Sequence, residues 1–548
     1  MKPAALCRTG LDPNPGLRHG APGESMKLYD HIDFEHGYGD RFQRFQDLMR
    51  NRVRDILLVS SMYDSFILSE DGRLYEELLS EYLGLNLMHM PGITRFSSGH
   101  AAIQAAKPEG RFDLIITTRR LEDMHALEFA RTLKERHIDI PVVLLTYDDR
   151  ELKELQEQHD LSVFEKVFMW QGDFRILLAI IKYIEDRMNV EFDTSLVGVQ
   201  SIILIEDNVR FYSSYLPLVY TAMMRHTQNL IAEGVNRAHK LLRQRARPKI
   251  LLCSSYEEAW DFFQRYHETV LGVISDVKFA RNGVSDPDAG FEFAKNVRAM
   301  HPDVPILIQS REAQNRQVAE KLGATFLLKN SPTLLHELGQ FMQKRFGFGD
   351  FVFSLPDGTE VGRAHDLVEL EEKLHTVPSE SLVYHGERNH FSNWLKSRTE
   401  FWLAHKIRPQ KVSDYSTPDD LRRYLIECLH ALRVEQRRGI VVDYDPETFE
   451  EAWSVIRVGG GSLGGKGRGI GFASKLLNMY EVQSKFESVK ISVPPSMILS
   501  TRVFDTFLEM NNLYDFALRS SDDAELIRRF LNARLPDEVV ADLADFLE

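Results

Sequence analysis

Two stretches of this chain repeat one order: a short run of purely apolar residues, then a longer stretch of helical periodicity, several times over. Between 53 and 190 the apolar runs are Ile56–Val59, Leu114–Ile116, Val142–Leu145 and Val163–Met169, with helical periodicity in Leu127–Leu133 and Phe174–Ile184. Between 200 and 345 they are Ile202–Ile205, Ile250–Cys253, Leu271–Ile274, Ile306–Ile308 and Thr325–Leu328, alternating with helices over Tyr256–Tyr266, Phe291–Met300, Gln314–Leu322 and Thr333–Phe346. Runs this short and this uniformly apolar are strands buried on both faces. That requires a parallel sheet with helices on either side. The order recurs, so the chain is expected to carry two tandem doubly wound α/β domains, a divergent internal repeat over 53–190 and 198–347.

The 548 residues leave room for more, at about 150 per domain. Residues 1–25, rich in Pro and Gly, read as a disordered extension, with Met26 as an alternative start. Residues 350–455 are expected to form a hairpin turning at Pro356-Asp357-Gly358, then helices. Phe391, Trp394, Leu395 and Trp402 are placed on one helical face, and Thr417-Pro418 with Asp420 marks a helix start. From 456 to 548 the composition opens on glycine, a third kind of unit.

Charge and cysteine usage narrow the function classes. With 67 Lys and Arg against 81 Asp and Glu the net charge is −14, which argues against a nucleic-acid binder relying on bulk positive charge. The basic run Lys240–Lys249 reads as a solvated helix end, and no helix-turn-helix or zinc pattern accompanies it. No apolar stretch suits a membrane span or a secretory signal. Cys7, Cys253 and Cys428 have neither metal spacing nor a disulfide framework. His301, His385, His390 and His405 lack ligand spacing and read as core or surface residues. A cytoplasmic, reduced protein is expected.

The second α/β domain carries chemistry at its strand ends. Glu206 and Asp207 follow the first strand, Asp276 the third, Ser310 the fourth and Lys329 the fifth. In an open parallel sheet the carboxyl ends of the strands face one crevice. Three clustered carboxylates suit a hard divalent cation, Mg2+, as Glu206, Asp207 and Asp276 ligands. Lys329 can neutralise incoming phosphoryl charge, Asp276 can act as nucleophile to give an acyl phosphate, and Ser310 can hydrogen-bond a phosphoryl oxygen.

These residues, in "ILIEDN", "VISDV", "PILIQS" and "FLLKNSP", make the segment resemble response-regulator receiver domains. The resemblance implies a five-stranded flavodoxin-like sheet and a histidine kinase or phosphotransfer protein as phosphoryl donor. It also implies an aromatic switch at Phe326 and a metal-ligand carbonyl at Lys278. Two departures stand out: a long stretch from Asp276 to Gly290 and another around Met224–Pro248. The first domain looks like a receiver with its pocket emptied. Ser60 and Ser61 stand at the acid-pair positions, Thr118 at the acceptor, Thr146 at the hydroxyl and Trp170 at the lysine. A docking or dimerising role is expected for it, with a homodimer through the receiver domains as one outcome.

Residues 459–471 read GGGSLGGKGRGIG, and a helix is expected over Phe472–Met479. Such a loop can cradle phosphate through backbone N–H groups, with Lys466 adding charge. It is neither a P-loop nor, lacking a clear strand–helix–strand context, the dinucleotide fingerprint. With "VPPSMILSTRVFDTFLE" after it, the segment resembles the start of the ATP-grasp domain of the pyruvate phosphate dikinase and phosphoenolpyruvate synthase family, with Ser496 where the family has glycine. The resemblance implies an α+β unit binding ATP through Gly464, Gly465, Lys466 and Gly467. It also implies several hundred further residues for catalysis, so the sequence reads as an incomplete chain. Two functions follow as expectations. One is a phosphorelay-regulated protein in which modification of Asp276 controls an ATP-dependent phosphotransferase module. The alternative is a phosphorelay scaffold that binds partner proteins without catalysis.

Overall fold

A computed structural model describes residues 47–68, 74–85, 90–107, 110–158, 160–232, 237–437, 440–444, 455–479, 489, 491 and 493–547. The extension expected over 1–25 lies outside them. The first unit runs β1 (Asp55–Val59), α1 (Met62–Phe66), α2 (Leu74–Gly84), β2 (Gly92–Phe96), α3 (Gly99–Ala105), β3 (Leu114–Thr118), α4 (Ala126–Glu135), β4 (Val142–Thr146), α5 (Asp149–Gln158), β5 (Lys166–Met169) and α6 (Arg175–Val197). Its strands are all parallel, in the order β2-β1-β3-β4-β5. β3 and β4 are buried at every residue, as their uninterrupted apolar runs demand. β2 was not expected. Its sequence GITRF has no apolar run, because an edge strand packs only in part.

The second unit follows almost at once. Gly198, at φ 74°, ends α6 in the left-handed conformation that glycine accepts without strain, and β6 begins three residues later. It comprises β6 (Ser201–Ile205), α7 (Val209–Ala232), α8 (Arg237–Arg245), β7 (Lys249–Cys253), α9 (Tyr256–Tyr266), β8 (Val270–Asp276), β9 (Phe279–Arg281), β10 (Val284–Asp286), α10 (Ala289–Met300), β11 (Ile306–Ser310), α11 (Asn315–Lys321), β12 (Thr325–Leu328) and α12 (Leu334–Arg345). Its parallel sheet runs β12-β11-β8-β6-β7, the topology of the first unit again. Both sequence departures have a structural form. The long stretch after Asp276 is an antiparallel hairpin, β9–β10, turning at Asn282 and Gly283 with φ of 51° and 74°. The stretch before β7 holds the end of α7 and the extra helix α8.

The two units share a packed core. β5 is an edge strand, and α7 of the second unit covers that edge: the Tyr212 hydroxyl donates to the Val167 carbonyl, and the Met169 N–H donates to Ser213 Oγ at 3.0 Å. The first unit therefore docks within the chain itself. The basic run is solvated only in part, at Lys240. Arg243, Arg247 and Lys249 are buried. Arg247 pairs with Asp186 at 2.7 Å and Lys249 with Asp193 at 2.7 Å, both carboxylates lying on α6. A buried charge survives only when paired, and here helix α6 of one unit supplies the partners for the other.

The middle region holds the hairpin β13 (Phe351–Ser354) and β14 (Glu360–Ala364), with Gly358 at φ 89° in its turn. Five helices follow: α13 (Leu367–Thr376), α14 (Ser379–Gly386), α15 (His390–Ser397), α16 (Phe401–Ile407) and α17 (Pro418–Arg437). Phe391, Trp394 and Leu395 lie on α15, but Trp402 belongs to α16, because the chain breaks at Thr399 with φ 65°. All four pack in one cluster. α17 starts as expected: the Asp420 N–H donates to Thr417 Oγ1 at 3.2 Å and the Thr417 N–H to Asp420 Oδ2 at 3.0 Å. The last unit has a parallel sheet, β15 (Val441–Asp443), β16 (Val455–Val458) and β17 (Ser496–Leu499). Helix α18 (Gly464–Met479) lies between β16 and β17, and α19 (Thr501–Met510), α20 (Tyr514–Arg519), α21 (Asp523–Leu531) and α22 (Asp537–Leu547) follow. The sheet reaches back across the boundary expected at 455. Among the described residues no helix is long and apolar enough to cross a membrane.

Candidate functional site: an acid pocket at the strand ends of the second unit

Each expected pocket residue lies at the carboxyl end of a strand, and the sheet order makes those ends neighbours. β6, β8 and β11 are adjacent, with Ile205 opposite Ser275 and Gln309 opposite Asp276. Glu206, Asp207 and Asp276 each present a carboxylate oxygen, and these lie within 4.8 Å of one another. Lys329, just past β12, bridges two of them: its Nζ is 2.6 Å from Glu206 Oε2 and 2.6 Å from Asp276 Oδ2. Asp276 Oδ1 accepts the Val277 N–H at 2.7 Å. The donor set is the all-oxygen, multiply charged kind that a hard divalent cation takes.

Electrostatics point the same way. Glu206 is buried, and burial pushes its carboxyl up to about 7; the Asp276 charge adds to this and Lys329 opposes it. Asp207 is also raised, first by its partial burial and then by Asp276. Packing acidic groups this closely is unfavourable without more positive charge than Lys329 supplies.

Ser310 and Phe326 are both buried. Ser310 Oγ accepts the Glu312 N–H at 3.1 Å and the Asn315 Nδ2–H at 2.8 Å. Arg316 sits over the Phe326 ring, 5.0 Å from its centroid. Lys278 lies two residues past Asp276 at the start of the hairpin loop and is exposed.

Sequence reasoning missed three contributors. Phe211, in the first turn of α7, lies beneath Lys329 at 4.6 Å and Arg311 at 5.2 Å, a shared cation–π platform. Asn315 holds the Ser310 hydroxyl. Gly290 closes the long loop: a Cβ there would lie 2.0 Å from the Asp276 carbonyl oxygen. An aromatic residue one helical turn after the acid pair was a signal for Phe211. For Asn315 no sequence signal existed, since the path of the β11–α11 loop decides its reach.

Among its described residues the first unit holds no such cluster. Thr118 ends β3 and is fully buried, Ser61 caps α1 by accepting the Asp64 N–H, and Trp170 is buried. Thr146 Oγ1 donates to the Phe168 carbonyl. Among the described residues the only group of three or more potential ligands is Glu206, Asp207 and Asp276.

The glycine-rich segment does have strand–helix–strand context, contrary to the expectation. β16 leads into it, β17 pairs parallel with β16, and α18 already begins at Gly464 rather than near Phe472. Gly459, Gly461 and Gly464 have φ of 76°, 94° and 69°. Around Gly464 and Gly465 nothing lies within 4 Å of a Cβ position, and Lys466 is exposed. Gly467 faces the sheet instead, where a Cβ would lie 2.8 Å from Ile498. It serves close packing of helix on strand.

No protein-family model matches the chain, and no curated protein matches it. Among the solved structures to which it is similar are two described as two-component system response regulator/GGDEF domain proteins. The first shows 15% identity over 53% of this chain and 98% of the other, with a TM-score of 0.25. The second shows 14% identity over 53% and 97%, with a TM-score of 0.24. At such values the likeness supports no inference about what the chain does.

Proposed function

We propose that the second unit receives a phosphoryl group on Asp276 and that the chain is a phosphorelay-regulated protein. The observation that carries this reading is Lys329 bridging Glu206 and Asp276, with Asp207 beside them, at the end of a 2-1-3-4-5 parallel sheet. An Asp276 carboxylate oxygen attacks the phosphorus of a donor. The bond from phosphorus to the donor breaks, and its electron pair stays with the donor. A phosphohistidine of a histidine kinase or phosphotransfer protein is the donor class that the sequence resemblance implies. Mg2+ held by Glu206, Asp207 and Asp276 would supply the charge that lets an anionic phosphoryl group approach an anionic nucleophile. Lys329 is within reach to stabilise a phosphoryl oxygen, and the Ser310 hydroxyl supplies a further donor once it turns from its loop.

The test is phosphorylation of the full chain by a small-molecule phosphodonor with Mg2+, read as intact mass. A gain of one phosphoryl group, absent in Asp276→Asn, is expected. No gain in the folded wild type contradicts the reading.

The first unit serves, in this account, as an internal docking partner for α7. The last unit is proposed to take the phosphates of ATP at Gly464, Gly465 and Lys466, where α18 opens after β16. Calorimetric titration with ATP checks this part alone: binding lost in Lys466→Ala supports it, and no binding by the wild type removes it.

A further inference from the structure

The Ser310 hydroxyl is held by the loop that follows β11. Its Oγ accepts hydrogen bonds from the Glu312 N–H at 3.1 Å and from Asn315 Nδ2 at 2.8 Å, both in the loop and first helical turn after β11. Among the described hydrogen bonds it makes none with Asp276 or Lys329. The oxygen acts as acceptor in both bonds, which leaves the O–H as a donor for another group.

Asn315 is the first residue of α11, and its neighbour Arg316 covers Phe326 on the adjacent strand. Asn315 bonds Ser310 and Arg316 covers Phe326, so one helical turn touches both residues of the expected switch. A phosphoryl group on Asp276 offers the Ser310 O–H a charged acceptor, stronger than a neutral one.

We infer that Asn315 is a positioning residue that retains Ser310 on the β11–α11 loop and thereby sets how readily Asp276 stays phosphorylated. This rests on Asp276 being the phosphoryl acceptor. On this inference the Asn315 bond is given up when the hydroxyl turns to the phosphoryl group, so deleting it favours the modified arrangement. A single intramolecular hydrogen bond corresponds to about a two- to tenfold change in an equilibrium.

The experiment compares the ratio of phosphorylated to unmodified full-length protein at a fixed, subsaturating concentration of small-molecule phosphodonor with Mg2+, by intact mass. Wild type, Asn315→Ala, Ser310→Ala and the double variant form one cycle. Asn315→Leu, closer to the amide in shape, serves as a second variant should Asn315→Ala fold poorly. The ratio is expected to rise about two- to tenfold in Asn315→Ala and Asn315→Leu, and to be unaffected by the same change once Ser310 is Ala. An unchanged ratio in Asn315→Ala, with wild type phosphorylated, overturns the inference and leaves the acceptor assignment standing. An equal change with and without Ser310 overturns it too, since Asn315 would then act through the fold at large. No phosphorylation of the wild type overturns the acceptor assignment, and the role of Asn315 with it.

Discussion

At the residue scale the pocket depends on one glycine as much as on its charges. Gly290 N–H donates to the Val277 carbonyl at 2.9 Å, and its α-carbon lies against the Asp276 carbonyl. That contact lets a hairpin occupy the loop and still return the chain to Asp276. Gly290→Ala places a Cβ 2.0 Å from a backbone oxygen that has no side-chain freedom to yield. We expect it to lower stability by about 1–3 kcal/mol in urea denaturation and to reduce phosphoryl acceptance. A fully stable, fully active variant would show that the backbone yields there. The pocket residues were legible because each follows an apolar run of recognisable length. Phe211 and Asn315 were not, because their roles depend on where a helix begins and how a loop turns.

At the scale of elements, α6 does the most to join the first two units. Along one face it carries Lys182, Glu185, Asp186, Asn189 and Asp193, all buried. Asp186 accepts from Arg247, from the Tyr220 hydroxyl at 2.9 Å and from the Ile250 N–H at 2.9 Å. The sequence pointed to a solvated basic run after α7, because burial of Arg247 is decided by Asp186, 61 residues away. Periodicity sees a helix face, not what covers it. Asp186→Ala leaves a buried guanidinium without its main carboxylate and is expected to cost about 3–5 kcal/mol. The double replacement Asp186→Leu with Arg247→Met should recover most of that, as an apolar pair removes both charges together. A loss under about 1 kcal/mol in Asp186→Ala would mean that water reaches Arg247.

At the scale of the whole molecule, several histidines are buried in the neutral state. Burial holds His226 at about 3, His385 at about 3 and His390 at about 4. His385 Nε2 accepts the Ser354 N–H at 2.8 Å, so its proton sits on Nδ1, facing His390 at 2.9 Å. These folded values lie below the ordinary histidine value of 6.5 that the unfolded chain keeps. As pH falls below 6.5 the unfolded chain takes up protons first. Their contribution to stability is thus fully present above 6.5 and lost as pH falls toward 4 and 3. Glu206, raised to about 7, has the opposite sign: its folded form gains a proton first, so its contribution is lost as pH rises through 7. With His301 also held at about 4 by burial, the histidines outnumber the raised carboxyls of Glu206 and Asp207, so the urea midpoint should fall as pH drops from 6.5 to 5. A midpoint that rises over that interval contradicts the buried neutral assignment.

The architecture was readable in outline: two doubly wound sheets, a hairpin with helices, and a glycine-rich opening to the last unit. What the sequence withheld was mutual packing, in particular that the first unit's open edge is closed by hydroxyls of α7. The central claim is that Asp276 is the phosphoryl acceptor. Its most direct test is to treat the full chain with phosphodonor and Mg2+, reduce with borohydride, which converts an acyl phosphate on aspartate to homoserine, and sequence the peptides by mass spectrometry. The account predicts homoserine at position 276 only. Homoserine at another carboxylate, or none after full treatment of the folded protein, would contradict it.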